Sequence, residues 1–393
     1  MPLPLVLALT LPSSLLAGCA KPAPVAAIDP VAADSPGRRV LVVANAASED
    51  SSRLALAYLA ARKIPRENLV VLSTSLLEDI PQAEYQKQIE DPIAANLRSN
   101  KNPIDYIVTT MGVPLRIAEG AYSVDAFLGQ MGRPLAALGG DYSNAELNRV
   151  LSPYFGKAEP FSHKKFGFYL TTRLTGYTLN DAMSLFERGL KAMPERGPYL
   201  LDSQPLKPKE GGYGTMEAIL RRTDEVLEAK GVKVVYDRKP EFAHGSGPLM
   251  GYASWGSNDD RFEPSAYYKL RFKPGAIAET FVSTSGRTFR PSTGGQSLIA
   301  DLVEQGITGV KGYVNEPYTF GLCHTDVLFD RYTAGHNLAD SFYMASPLLK
   351  WKDVVIGDPL CAPYAKAPIR GKTPAKPVLN ASAAKPRPKI VRK

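Results

Sequence analysis

Short apolar runs alternate with segments of helical periodicity along the first third of the chain. Residues 40–44 are continuously apolar, as a strand buried in a parallel sheet requires, and helix-capping side chains at 48–53 introduce a helical pattern. Further strands are predicted at 69–72 and 106–110, with a helix at 85–99 between them. This β-α-β-α-β order predicts a parallel sheet with helices on both faces.

The same alternation continues from residue 166, after a less periodic stretch at 116–165 that we expect to be an insertion. The predicted fold class is therefore α/β, with two successive three-layer parallel-sheet halves at 38–194 and 195–365. The helices predicted in the later part are 179–193, 215–230, 296–305, 326–332 and 338–345. Its predicted strands are 166–173, 199–202, 232–236, 249–255, 278–282, 309–314 and 354–356.

The N-terminal segment has the pattern of an export signal. Residues 1–18 are apolar and uncharged, and they are too short and too rich in proline to span a membrane. The Leu-Ala-Gly sequence before Cys19 matches the lipobox of bacterial lipoproteins, in which the cysteine thiol receives the lipid. No Lys or Arg precedes the apolar run, and the alternative is an ordinary cleaved signal with an incidental cysteine. We expect a signal peptide at 1–18, lipidation at Cys19 and a lipid-anchored linker at 19–37.

Positive charge is concentrated at the other end of the chain. The formal net charge is +8, but residues 366–393 hold nine Lys or Arg and no acidic residue, so the remainder is about −1. This segment is rich in Pro, Ala and Lys and cannot bury enough apolar surface to fold, so we expect a basic disordered tail. A nearly neutral, exported body argues against nucleic acid as a partner. The alternative is that the tail is an electrostatic arm for anionic lipid, glycan or nucleic acid.

Polar side chains follow two of the strands predicted in the second half, near residues 255 and 283. Ligands of open α/β sheets collect outside the carboxyl ends of strands, so these side chains form the candidate ligand site. The first strand ends in Asn-Ala-Ala-Ser and not in a glycine-rich phosphate loop, which disfavours nucleotide binding there. We expect no cofactor. The ligand-site candidates are Trp255, Ser257, Asn258, Asp259, Ser283, Ser285 and Arg287.

Five short motifs follow one another through residues 195–365. They are Ser-Trp-Gly-Ser at 254–257, Ser-Thr-Ser-Gly at 283–286, Gly-Gly-Gln at 294–296, Gly-Ile-Thr-Gly at 306–309 and Gly-Asp-Pro-Leu at 357–360. In this order they resemble the catalytic subdomain of gingipain-type and caspase-like cysteine peptidases, in which one strand ends in Gly-His-Gly-Ser and the next in Cys-Gly. The resemblance implies a caspase-like fold, with Trp255 and residues 283–285 where the family has its His and Cys.

The family's chemistry needs a thiolate and a nearby imidazole, and this chain has neither at those positions. The resemblance therefore implies a pseudo-peptidase whose site has a structural or ligand-binding use. In that use Trp255 would be a stacking surface and Arg287 an anion clamp. The alternative is a hydrolase or peptidase with a non-standard nucleophile, Ser285 or Cys323.

Four further segments extend the comparison to residues 40–364. They lie at 106–115, 310–317, 329–333 and 354–363. Together they resemble a family of uncharacterised bacterial proteins from genomes that carry the exosortase protein-sorting system. That resemblance implies no known reaction, and it suggests a link to exosortase-dependent sorting.

A second constellation of reactive residues is Cys323 and His324, followed by Asp326, with Cys361 further along the chain. Cys323 and His324 are catalytic candidates beside Ser285. No metal site is expected, because neither Cys-x-x-Cys nor His-x-x-x-His spacing is present. A disulfide between Cys323 and Cys361 and a pair of buried thiols are both compatible with the sequence.

We therefore expect an exported protein that a lipid holds at the cell membrane or outer membrane, facing the periplasm. Its expected role is non-catalytic binding or assembly at the cell envelope, with an envelope protein or a glycan as its partner.

Overall fold

Ten strands from both halves of the chain form one sheet. The computed structural model describes residues 32, 34–133, 151–371 and 375–377, so the predicted signal peptide, Cys19 and residues 378–393 lie outside the described residues. The strands are β1 Val40–Asn45, β2 Leu69–Leu72, β4 Tyr106–Thr110, β7 Leu170–Leu174, β8 Tyr199–Asp202, β9 Val234–Asp237, β10 Leu249–Ser254, β11 Phe272–Thr280, β12 Gly309–Tyr313 and β13 Asp353–Gly357. Their order in the sheet is β2-β1-β4-β7-β13-β12-β11-β10-β8-β9.

Strands of the first half occupy one side of this sheet and strands of the second half the other, and β13 lies between them. Pairing is parallel among β1, β2, β4 and β7 and among β8 to β12, whereas β13 is antiparallel to β12. The predicted α/β class with a large, mostly parallel sheet is confirmed. The described residues belong to one compact unit. The predicted boundary near residue 195 therefore separates two sets of strands within one sheet.

The helices follow the predicted pattern, with shifted ends. Their bounds are α1 Glu49–Arg62, α2 Asp91–Ser99, α3 Val124–Gly129, α4 Leu179–Leu190, α5 Gly211–Glu228, α6 Ile299–Glu304, α7 Thr325–Thr333 and α8 Leu338–Met344. Ser48 starts α1 by accepting a hydrogen bond from the Ser51 N–H at 3.1 Å, as expected of a capping residue. The helix predicted from residue 215 begins at Gly211, so the glycines before it form its first turn. The helix predicted at 85–99 contains a π-helical turn, Tyr85–Glu90, ahead of α2.

Apolar side chains of β1 point alternately into two separate clusters. Val40 and Val42 join the cluster that contains Leu54 of α1. Leu41 and Val43 join the cluster that contains Ile93 of α2. Because neighbouring side chains of a strand point to opposite faces, β1 is covered by helices on both faces, which explains its unbroken apolar run.

The predicted insertion at 116–165 contains part of a second, small sheet. This sheet has the order β3-β5-β6, with β3 Asp79–Ile80, β5 Arg116–Ile117 and β6 Tyr122–Ser123, and residues 134–150 lie outside the described part. From β5, the Arg116 guanidinium donates to the carbonyls of Arg287 at 3.0 Å and Val314 at 3.2 Å. Arg116 thereby connects the first half to the segments that follow β11 and β12.

Candidate functional site

The segment after β10 buries its tryptophan. Trp255 is 1% exposed, and its Nε1–H donates to the Glu217 carboxylate of α5 at 2.5 Å. Its ring packs on those of Tyr213 and Phe281, with centroid separations of 5.5 and 5.2 Å, and Lys207 Nζ lies 5.8 Å from its centroid. The stacking role expected of Trp255 is incompatible with this burial, because a ligand needs an accessible indole face. Trp255 instead joins the end of β10 to α5.

Ser257 and Asn258 connect the segment after β10 to the segment after β11. Ser257 Oγ accepts from the Ser297 N–H at 2.9 Å, and Ser297 Oγ accepts from the Ser257 N–H at 3.2 Å. Asn258 Oδ1 accepts from Gln296 Nε2 at 2.8 Å. Gln296 Oε1 accepts from the backbone N–H and the hydroxyl of Thr284 at 3.0 and 2.7 Å. Side chains expected to meet a ligand are thus engaged with one another.

Asp259 also points inwards, near a second buried carboxyl group. Its Oδ1 accepts from Gln204 Nε2 at 2.5 Å, while its Oδ2 has no hydrogen-bond partner among the described residues. Asp202, the last residue of β8, is buried and accepts from Ser254 Oγ at 2.8 Å. Burial raises the pKa of both carboxyl groups, and the neighbouring Asp259 adds to the rise at Asp202, whose pKa reaches about 7.

The segment after β11 holds a buried serine and an arginine that stabilises its own loop. Ser285 is 0% exposed, and its Oγ has no hydrogen-bond partner within the described part of the chain, whereas Ser283 is half-buried. Serine without a hydrogen-bonded base is a weak nucleophile. Arg287 donates to the carbonyls of Gln296 at 2.6 Å and Gly294 at 3.0 Å. An anion at Arg287 would have to replace bonds that hold this loop.

Residues that precede β3 bind the far end of the same loop. The Glu78 carboxylate accepts from Thr288 Oγ1 and from the Phe289 N–H, both at 2.9 Å. Arg290 Nη2 donates to the Leu76 carbonyl at 2.8 Å. The 283–290 loop is therefore fixed from both halves of the chain.

Cys323 and His324 are both buried, and each has a protonation state that is unsuitable for a catalytic dyad. Burial and the nearby Glu279 raise the pKa of the Cys323 thiol well above its ordinary value. Burial and the charge of Arg222 lower the pKa of His324 to about 3, and His324 Nδ1 has no hydrogen-bond partner among the described residues. The thiol therefore keeps its proton and the imidazole stays neutral at pH 7. Cys323 and Cys361 are free and buried, so the buried-thiol alternative is correct and the disulfide is not formed.

The described part of the chain contains neither a metal-binding cluster nor a membrane-spanning helix. In residues 34–133 and 151–371, no group of three His, Cys, Asp or Glu side chains is arranged to hold a metal ion. In that same part of the chain, no helix combines the length and hydropathy needed to cross a membrane.

Three ionisable residues, the half-buried Glu217 and the buried Glu279 and Lys311, are not among the site residues predicted from the sequence. Glu217 accepts from Ser203 Oγ at 2.5 Å and from the Gln204 N–H at 2.9 Å as well as from Trp255. A signal for it existed, since it lies three residues before the buried Leu220 on an amphipathic helix. Glu279 and Lys311 are ionisable residues within otherwise apolar strand patterns, which marks them as buried charges.

Among known proteins, this chain shows similarity to solved structures but to no family model and no curated sequence. No family model matches this sequence, and no curated protein matches it. One similar structure is the complex of the pro- and mature domains of RgpB from Porphyromonas gingivalis, with a TM-score of 0.47, 11% identity, and coverage of 82% of this chain and 79% of that chain. Another is a protease, with a TM-score of 0.48, 13% identity, and coverage of 85% and 80% respectively. Likeness at this level concerns the path of the backbone and assigns neither an activity nor a site residue.

Proposed function

We propose that this chain is a lipid-anchored, non-catalytic protein of the cell envelope that acts by binding or assembly. The proposal rests on the segments that follow β10 and β11, where Trp255 and Ser285 are buried in the region that would hold the peptidase His and Cys. Trp255 is enclosed and hydrogen-bonded to Glu217, and the buried Ser285 has no base on its hydroxyl among the described residues. A hydrolytic site needs an accessible, activated nucleophile, and the side chains here support the folded structure.

The rival proposal, a hydrolase that uses Cys323, is disfavoured by the surroundings of its thiol. Reactive cysteines are partly exposed and have a lowered pKa, whereas Cys323 is fully buried and its pKa is raised by burial and by Glu279. The Cys323 N–H donates to Tyr313 Oη at 2.9 Å, which places this residue in the buried hydrogen-bond network of β12.

The envelope location is supported by the sequence around Cys19. The lipobox would place a diacylglycerol on that cysteine, and the linker at 19–37 would hold the folded body on the periplasmic side of the cell membrane or outer membrane. The proposed partner is an envelope protein or a glycan. The resemblance to exosortase-associated proteins supports a role in sorting.

Crosslinking in intact cells, followed by purification of the tagged chain from membranes, tests this function. We expect one set of envelope partners to copurify with the wild type, and to be depleted with Cys19→Ala. Ala20→Ser, which leaves the cysteine intact, is the matched control and should retain them. Equal recovery of the same partners with Cys19→Ala would contradict the anchored role. Cleavage of a peptide substrate by the purified protein, lost in Ser285→Ala, would contradict the non-catalytic role.

A further inference from the structure

Three ionisable side chains from adjacent strands meet in the core on one face of the sheet. Glu279 of β11 is the register partner of Lys311 of β12, and Asp353 of β13 is opposite Tyr313, two residues beyond Lys311. Because side chains two residues apart on a strand share a face, the three ionisable side chains and Tyr313 all point to the same side of the sheet. The exposed fractions are 0% for Glu279, 1% for Lys311 and 8% for Asp353.

The contacts in this group bring an amine against a carboxyl group. Lys311 Nζ lies 3.2 Å from Asp353 Oδ2 and donates to Ser346 Oγ at 2.7 Å. Glu279 Oε1 accepts from Tyr313 Oη at 2.6 Å, and Glu279 Oε2 has no hydrogen-bond partner within the described part of the chain. Glu279 therefore has one carboxyl oxygen without a partner of its own among the described residues, on the same buried face of the sheet as Lys311 and Asp353.

The protonation states differ within the group. Burial raises the pKa of Glu279 to about 8, although Lys311 opposes the rise, so Glu279 carries a proton at pH 7. Burial lowers the pKa of Lys311, but the neighbouring Asp353 and Glu279 carboxyl groups outweigh it, and the pKa lies above its ordinary value. The folded protein thus starts with an ammonium–carboxylate pair beside a neutral carboxylic acid.

We propose that Lys311 and Asp353 condense in the folded protein to form an intramolecular isopeptide bond, with Glu279 as the proton shuttle. Transfer of a proton from Lys311 Nζ to Asp353 gives a neutral amine and a neutral acid, which avoids two buried charges. The Nζ lone pair then attacks Asp353 Cγ and forms the N–C bond. Glu279 donates its proton to the departing oxygen and takes one from Nζ. The C–O bond breaks and one water molecule leaves, so no oxidant or cofactor is required.

Proximity and burial supply what the uncatalysed condensation lacks. Reacting groups that are held about 3–3.5 Å apart have a very high effective concentration, which the same groups free in water cannot reach. The departing water leaves a core in which both carboxyl groups are largely shielded from solvent, which disfavours the reverse hydrolysis. The product would join β13, the last strand among the described residues, covalently to β12.

Lys230 and Asp330 form a natural control, because their amine and carboxylate lie closer together than those of Lys311 and Asp353 but have different surroundings. Lys230 Nζ lies 2.5 Å from Asp330 Oδ1, with side-chain exposures of 1% and 4%. The Asp330 carboxylate also accepts from the Arg331 guanidinium and, at 3.1 Å, from the Ala375 N–H. Protonating Asp330 would leave the Arg331 charge buried without its partner, so this pair should remain an ion pair.

Mass spectrometry of the purified full chain under denaturing conditions tests the bond. We expect the wild type to be lighter by one water molecule than its processed sequence, and proteolysis to yield a branched peptide that joins Lys311 to Asp353. Lys311→Arg should restore the full mass, and Glu279→Gln, which keeps the size of the side chain, should leave most molecules unlinked. Lys230→Arg should leave the branched peptide unchanged.

The wild-type digest decides the outcome even where a variant fails to fold. Separate, unmodified peptides containing Lys311 and Asp353 from folded wild-type protein would overturn the proposal. A branched peptide that persists at wild-type yield in folded Glu279→Gln would overturn the role of Glu279. A branched Lys230–Asp330 peptide would show that proximity alone suffices and would equally overturn that role.

Discussion

The Trp255 side chain ties the end of β10 to α5 by packing and by one hydrogen bond to Glu217. Its removal would open a cavity and leave a carboxylate without its donor. We predict that Trp255→Ala lowers the free energy of unfolding by about 3–5 kcal/mol, measured by urea denaturation. The control Tyr268→Ala removes an aromatic ring that is 52% exposed, and it should change stability by less than about 1 kcal/mol. Equal losses for the two variants would contradict the structural role of Trp255.

His324 should make the folded state sensitive to acid. Burial lowers its folded-state pKa to about 3, against an ordinary value of 6.5, so between these values the unfolded chain binds a proton that the folded chain excludes. The contribution of His324 to stability is complete above pH 6.5 and is lost progressively as the pH falls towards 3. Within this range the contribution of His324 to the free energy of unfolding changes by up to about 1.4 kcal/mol per pH unit.

The variant His324→Phe isolates this effect. A phenyl ring can keep the edge-to-face contact with Phe155, whose ring centroid lies 5.0 Å from that of His324. We predict that the loss of unfolding free energy between about pH 6.5 and about pH 4.5 is smaller in His324→Phe than in the wild type. The comparison between the two proteins is needed because Asp202 and Glu279 have raised pKa values, and they therefore stabilise the folded state as the pH falls. Parallel pH profiles for the two proteins would contradict the neutral, buried imidazole.

At the scale of elements, Arg173 of β7 holds together the segment after β4 and helix α3. It donates to the Asp125 carboxylate at 2.6 and 2.9 Å, and to the carbonyls of Val113 and Pro114 at 2.7 and 2.9 Å. We predict that Arg173→Met destabilises the protein by about 3–5 kcal/mol, because the buried Asp125 charge loses its partner. Thermal unfolding measures the change. Arg53→Met, which removes an exposed pair with Asp50, should cost less than about 1 kcal/mol, and a similar cost for both would refute the prediction.

Local pattern predicted most of the elements, but it did not predict their order in the sheet. β4 has the predicted bounds, 106–110, because a buried strand needs an apolar run that the sequence displays. The position of β13 between the two halves depends on pairing with β7 and β12, and no local pattern encodes a partner so distant in sequence. The burial of Trp255 was missed for the same reason, since the groups that enclose it come from α5 and from the end of β11.

At the scale of the whole molecule, the lipid anchor is the prediction that concerns location. We predict that labelled palmitate enters the chain in a host with lipoprotein processing, and that Cys19→Ala abolishes the label. Ala20→Ser should retain it. Unlabelled wild-type protein would contradict the anchor and would favour an ordinary cleaved signal.

The folded body as a whole predicts an unreactive site. The loop after β11 is fixed from both halves, through Glu78 to Phe289 and through Arg116 to Arg287, so Ser285 is enclosed by contacts from distant parts of the chain. Cys323 is likewise buried, with a thiol whose pKa is raised by burial.

Treatment of the folded protein with a fluorophosphonate and with an alkylating probe, followed by peptide mapping, tests the non-catalytic site most directly. We predict no labelling of Ser285 or Cys323 in the folded protein, and alkylation of Cys323 once the chain is denatured. Labelling of either residue in the folded protein would contradict the proposed non-catalytic site.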